Sequence, residues 1–147
     1  SYIDLAEEEG GVILCGGGPP IGIPEAFDGG FWVSPTVIDG LTPDSRCATE
    51  EIFGPVVTLH PFSDDEEAIE IANMTEYGLA GSIWTRDIDA ANAMAERIES
   101  GMIWINCWLH RDLRVPFGGV KNSGVGREGG RWSLGFFSEA VNICVKH

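Results

Sequence analysis

The chain has 147 residues, 44% hydrophobic and 22% charged, the length and balance of a globular domain with a core of its own. A net charge of -14 with only nine Lys and Arg excludes nucleic acid and anionic membrane as expected partners, because both require a basic face. No apolar run approaches the roughly 18 residues of a spanning helix, and no charged segment leading into an apolar stretch opens the chain, so a cytoplasmic protein is expected.

Taken in order, Ser1 to Glu9 reads as the middle or end of a helix, with Tyr2, Ile3, Leu5 and Ala6 on one side and Gly10-Gly11 as its stop. The missing initiator Met and this mid-helix opening imply a processed product or a fragment. Val12 to Cys15 is a short strand, GGGPPIGIPEAFDGG a surface loop, and Phe31 to Ile38, which contains Pro35, an edge or irregular strand. From Val56 the pattern is regular. Val56 to Phe62 is a strand, and Ser63-Asp64-Asp65-Glu66 is a capping box for a helix carrying Ala68, Ile69 and Ala72. Ala80 to Trp84 is the next strand. Asp87 caps a helix with Ile88, Ala91, Ala95 and Ile98 on one face, Gly101 closes it, and Met102 to Ile105 is a third strand. Crossovers of this length predict right-handed connections and one parallel sheet with flanking helices, an α/β fold. Arg131 to Phe137 reads as a short helix. Ala140 to Val145 reads as a terminal strand that either folds back on its own domain or is covered by another subunit.

The stretch MIWINCWLHRDLRVPFGGVKNSGVGR, Met102 to Arg127, is where function is expected. A buried strand breaks at Asn106 into a loop crowded with aromatics and arginines, then into glycines, and α/β proteins place ligands at the carboxyl ends of strands. Gly124-Val125-Gly126-Arg127-Glu128-Gly129 matches G-x-G-x-x-G formally, but a Pro/Gly loop precedes it and no strand leads into it, which argues against a dinucleotide fingerprint. Glu50-Glu51 ahead of Ile-Phe-Gly-Pro is either a solvated acidic pair or a carboxylate placed for two vicinal hydroxyls. The four cysteines lack C-x-x-C or zinc-type spacing and are expected to be buried free thiols, with no metal site. Asn73-Met74-Thr75 is a chance sequon without a secretory signal.

Four groups of residues then carry a resemblance. Glu50-Glu51-Ile52-Phe53-Gly54-Pro55-Val56, Tyr77-Gly78-Leu79-Ala80, Trp104-Ile105-Asn106-Cys107 and Pro116 to Glu128 (PFGGVKNSGVGRE) resemble, in order and spacing, the carboxyl-terminal third of an aldehyde dehydrogenase. The Asn-Cys-Trp-x-x-Arg-Asp-Leu-Arg loop further resembles the branch acting on aminomuconic and hydroxymuconic semialdehydes. The resemblance implies that residues 1–130 are the end of a catalytic domain and 131–147 a terminal helix with an oligomerisation strand. It implies NAD or NADP as cofactor in the intact enzyme, with Glu51 on the nicotinamide ribose and Phe53 against the nicotinamide. It implies a substrate tunnel lined by Phe117 and the loop after Asn106. Arg111, with Arg114 as runner-up, would anchor a substrate carboxylate, unless Arg111 simply pairs with Asp112 or another acid. Ala140 to Val145 would pair with a second copy. The family's nucleophilic cysteine, general-base glutamate and nucleotide-binding βαβ region lie upstream of this stretch, so no catalytic residue is expected here, and Cys107 takes a structural position. The alternative is a stand-alone, non-catalytic interaction module that keeps the fold and the pairing strand.

Overall fold

The computed structural model describes residues 1–147, which form two compact units, Ser1–Thr75 and Glu76–His147. In the first, helix α1 (Tyr2–Glu8) leads into strand β1 (Val12–Cys15), and a single 3-10 turn, Glu25–Phe27, interrupts the Gly/Pro-rich loop. Strand β2 (Thr36–Asp39), helix α2 (Arg46–Thr49), strand β3 (Val56–Thr58) and helix α3 (Asp65–Asn73) complete it. The sheet order is β1-β2-β3, with β1 antiparallel and β3 parallel to the central β2. Its core is Ala6, Ile38, Leu41 and Cys47, with Tyr2, Leu5, Ile13 and Val56 packed against them. The apolar side of α1 is therefore what seals this small sheet.

Three expectations for this unit change. The Pro35 strand starts only at Thr36 and is central, not at an edge. Proline has no N–H to give to a ladder, so pairing begins once it is passed. The strand expected over 56–62 stops at Thr58, with one more bond from Leu59 N–H to Ile38 C=O, because its partner turns away at Gly40, φ +78°. The cap of α3 is shifted by one residue. Asp64 is the N-cap and accepts from Glu67 N–H at 2.9 Å, while the Glu67 carboxylate accepts from Ser63 N–H at 2.6 Å.

In the second unit, β4 (Tyr77–Gly78) pairs antiparallel with β7 (Val120–Lys121), and β5 (Ala80–Ile83) pairs parallel with β6 (Met102–Ile105) in the register Ala80↔Met102 to Ile83↔Ile105. Helix α4 (Ile88–Ala95) joins β5 to β6, and its cap is as expected, Asp87 accepting from Ala90 N–H at 2.9 Å. Helix α5 (Gly130–Phe136) follows β7. The chain is thus an α/β protein with two parallel pairings, but they lie in separate sheets instead of one. After α3 the backbone enters β4, whose partner is the distant β7, so β3 and β5 are never neighbours.

Residues 138–147 carry no strand within the single chain. A strand exists by virtue of its ladder, and no edge in this chain meets the segment, which leaves Val141, Ile143 and Val145 exposed. The cysteines are all free, yet only Cys47 is buried, Cys107 is half-buried, and Cys15 and Cys144 are exposed. No helix is long and apolar enough to cross a membrane.

Candidate active site

Two stretches hold the expected site residues, one in each unit. In the first, Glu50 and Glu51 end up with opposite duties. Glu50, at the C-cap of α2, accepts from Arg46 Nε at 2.8 Å and Nη2 at 3.0 Å, and from the Tyr2 hydroxyl at 2.7 Å. The Arg46 bonds first and the Tyr2 bond second hold its carboxyl down to about 2. Glu9 secures the other end of α2. Its carboxylate accepts from Arg46 N–H at 3.0 Å and Cys47 N–H at 3.2 Å, and although burial pushes its pKa upward, these bonds leave it lowered. The Cys47 thiol inside this network is pushed up to about 11, by burial first and by Glu9 second, which makes it an inert packing group.

Glu51, one residue on, is exposed and engages no side chain of the chain. Phe53 is 92% exposed and sits at φ +53°, in the left-handed region that a bulky residue avoids. An aromatic ring held in solvent on strained backbone is costly twice over, and such costs concentrate where a ligand is met. Glu51 and Phe53 line one hollow of about 340 Å³ with Glu50 and Val57.

In the second unit the site begins where β6 ends. Asn106, at φ +54°, accepts from Thr85 N–H at 2.9 Å and donates its amide to Thr85 C=O at 2.8 Å, clamping the ends of the two parallel strands together. Beyond it, Trp104 Nε1 donates to His110 C=O at 2.9 Å, and the Trp104 and Trp108 rings meet edge to face at 5.1 Å. The loop is thereby folded back over β6. Its far side rests on glycine backbone. A Cβ at Gly129 would fall 2.2 Å from Val115 C=O, and one at Gly130 2.5 Å from Arg114 C=O. The last glycine of the G-x-G-x-x-G match therefore serves close backbone packing in this chain.

The two arginines separate clearly. Arg114 folds onto Asp112, with Nε at 2.8 Å from Oδ1, and this bond holds the Asp112 carboxyl below its ordinary range and raises Arg114. Arg111 instead lies over the Phe117 ring, its guanidinium carbon 4.0 Å from the ring centroid, with Nη2 3.7 Å from Glu128 Oε1. Phe117 and Glu128 are themselves paired by reciprocal backbone bonds of 2.9 and 2.8 Å. Arg111, Phe117 and Glu128 line a single cleft of about 540 Å³ with Trp104, His110 and Ser133, and Arg114 does not border it. Glu128 was not singled out from the sequence. Its only signal was a carboxylate next to the glycine turn, and sequence separation hides the pairing with Phe117.

The aldehyde dehydrogenase family model matches residues 1–143. Among curated relatives, the 2-hydroxymuconic semialdehyde dehydrogenase of Pseudomonas putida is 51% identical over 146 residues, covering 99% of this chain and 30% of that protein. The 2-aminomuconic 6-semialdehyde dehydrogenase of a Pseudomonas species is 49% identical with the same coverage of both. Among solved structures, PnpE in complex with nicotinamide adenine dinucleotide superposes with a TM-score of 0.87 at 47% identity, over 94% of this chain and 28% of that one. The chain thus spans about a third of the length of the curated relatives it matches. With the family model covering nearly every residue and the four sequence motifs all falling inside the match, the chain belongs to the aldehyde dehydrogenase family.

Proposed function

We propose that this chain supplies the cofactor loop and the substrate loop of an NAD(P)-dependent dehydrogenase that oxidises a semialdehyde bearing a carboxylate. The observation that carries the substrate class is the placement of Arg111. Of the two arginines in the loop, it is the one that lines the cleft, with its guanidinium plane set by Phe117 and its nearest carboxylate beyond hydrogen-bond distance. A planar fork of donors, permanently charged, matches a carboxylate bidentately. The relatives named for muconic semialdehydes, whose substrates carry such a group, support the same reading.

An NAD(P) cofactor fits the residues of the first unit. Glu51 offers a carboxylate with no competing partner to two vicinal ribose hydroxyls, and the exposed Phe53 offers a ring face to the nicotinamide. When bound, the nicotinamide supplies the hydride acceptor. Glu50 keeps the loop that carries both residues in place and does not itself reach the cofactor. In the second unit Arg111 orients the substrate by its carboxylate, and Phe117 walls the tunnel and keeps water from the guanidinium face.

The thiolate and the general base of the reaction come from elsewhere in the protein, and Cys107, half-buried beyond the end of β6, takes no part in the chemistry. This chain alone is accordingly inactive. Residues 1–130 belong to the catalytic domain and residues 131–147 to the oligomerisation element, where the exposed Phe136, Phe137, Val141 and Ile143 support cover by another copy.

The test is Arg111→Ala in the full-length enzyme, assayed with a carboxylate-bearing semialdehyde and with an uncharged aldehyde of similar length. The first should lose about 2 to 5 kcal/mol in kcat/KM, the range for truncating one partner of a buried charge pair, and the second far less. Parallel losses on both substrates would show that Arg111 holds the loop together and does not read the substrate.

A further inference from the structure

Arg111 has an acid beside it in sequence, Asp112, and does not use it. Asp112 is bound by Arg114 through two guanidinium nitrogens and the backbone N–H, so the adjacent carboxylate is already committed. Arg111 turns across the cleft to Glu128. There it stands 3.7 Å from the carboxylate, close enough for attraction and too far for a hydrogen bond, so the donor fork is neutralised without being consumed. The geometry is fixed from below. Phe117 and Glu128 face each other through a pair of backbone hydrogen bonds, so the ring on which the guanidinium lies and the carboxylate it faces move as one piece.

We infer that Glu128 is the counter-ion that sets the charge specificity of the cleft: it keeps Arg111 on the Phe117 face and gives it up to an incoming carboxylate. This rests on the reading of Arg111 as the substrate anchor. An anionic substrate exchanges one carboxylate for another at the guanidinium and gains the bidentate hydrogen bonds that Glu128 does not make. An uncharged aldehyde finds the guanidinium already paired and gains nothing from it. Glu128 therefore lowers the affinity for anions in return for keeping the arginine from sealing onto other acids of this chain, whose net charge is -14. It acts as a positioning residue for Arg111.

The test is a binding measurement, independent of turnover. Titration calorimetry of the full-length enzyme with adipate, a six-carbon dicarboxylate that cannot react, is run on wild type, Glu128→Gln, Glu128→Ala and Arg111→Ala. The Glu128 side chain is 68% exposed and its role in the backbone pair with Phe117 is carried by main-chain atoms, so both Glu128 variants should fold. Each should bind adipate about two- to fivefold more tightly, the fold-change expected on removing a competitor from an exposed ion pair. Arg111→Ala should weaken adipate by roughly thirtyfold or more. Unchanged or weaker binding in both Glu128 variants, with Arg111→Ala still losing adipate, would overturn the role of Glu128 and leave the anchor standing. Unchanged binding in Arg111→Ala would remove the anchor and this inference together.

Discussion

Around Glu50 the chain is held in place by charge, and around Asn106 by backbone. The first loop hangs from a carboxylate shared by Arg46 and Tyr2, with Glu9 fastening the other end of the same short helix. Its glycine, Gly54, has nothing within 4 Å of where a Cβ would stand. The second loop is clamped by an amide that both accepts and donates at Thr85, and it lies on glycines whose missing side chains are filled by carbonyls. A charged tether tolerates changes of shape and depends on pH and salt, while a close-packed backbone is indifferent to both and intolerant of a single methyl. The loop that presents Glu51 and Phe53 is adjustable, and the loop that presents Arg111 is fixed.

The largest effect should come from Gly101→Ala, one residue before β6. Its Cβ would fall 1.7 Å from Gly118 C=O, a backbone atom that no rotamer can move aside. A loss of about 3 kcal/mol or more is expected, read as a fall in the denaturant midpoint, and a stable Gly101→Ala protein would break the picture of a fixed second loop. Next is Glu51→Gln in the full-length enzyme, which removes a charged acceptor and should slow hydride transfer by about 2 kcal/mol, roughly thirtyfold in single-turnover kinetics, with little change in melting temperature. Glu50→Gln should show the reverse pattern, since Glu50 ties the loop down and does not meet the ligand.

The sign of the Glu50 effect follows from its depressed pKa. Its contribution is fully present above the ordinary carboxylate value of 4.5 and is lost as pH falls through about 2. Glu50→Gln should therefore melt below wild type at neutral pH, with the gap closing as the pH approaches 2. A gap independent of pH would mean that packing, not charge, holds the first loop. The smallest effect is expected at Gly54→Ala, within about 0.5 kcal/mol, because the position is open.

What could be read from the sequence was whatever depends on near neighbours. Helix α3, the start of α4 with its Asp87 cap and the β5-β6 pair follow from periodicity and local hydrogen bonding, with bounds correct to a residue or two, while α4 ends at Ala95, short of the expected Ile98 and its Gly101 stop. Sheet partners were less legible. Tyr77–Gly78 is too short for any alternation to declare it a strand, and its partner lies more than forty residues away, so the expected single sheet divided into separate pieces. At the site, the residue types were legible and their commitments were not. Nothing in the order Arg111-Asp112-Leu113-Arg114 says which arginine takes the aspartate, because a turn decides it. Likewise Glu50 and Glu51 are identical letters until Tyr2 and Arg46 arrive at one of them.

The edge-to-face contact of Trp104 and Trp108 has a use beyond holding the loop. Two indoles 5.1 Å apart with their planes inclined by 63° couple their electronic transitions, which gives a circular dichroism couplet that an isolated tryptophan lacks. Trp104 stands on β6 and Trp108 in the loop that carries Arg111, so the couplet reports the distance between strand and loop. The loop that carries Arg111 therefore holds an intrinsic optical gauge, readable without label or crystal, and its amplitude will follow any displacement that a ligand at Arg111 imposes.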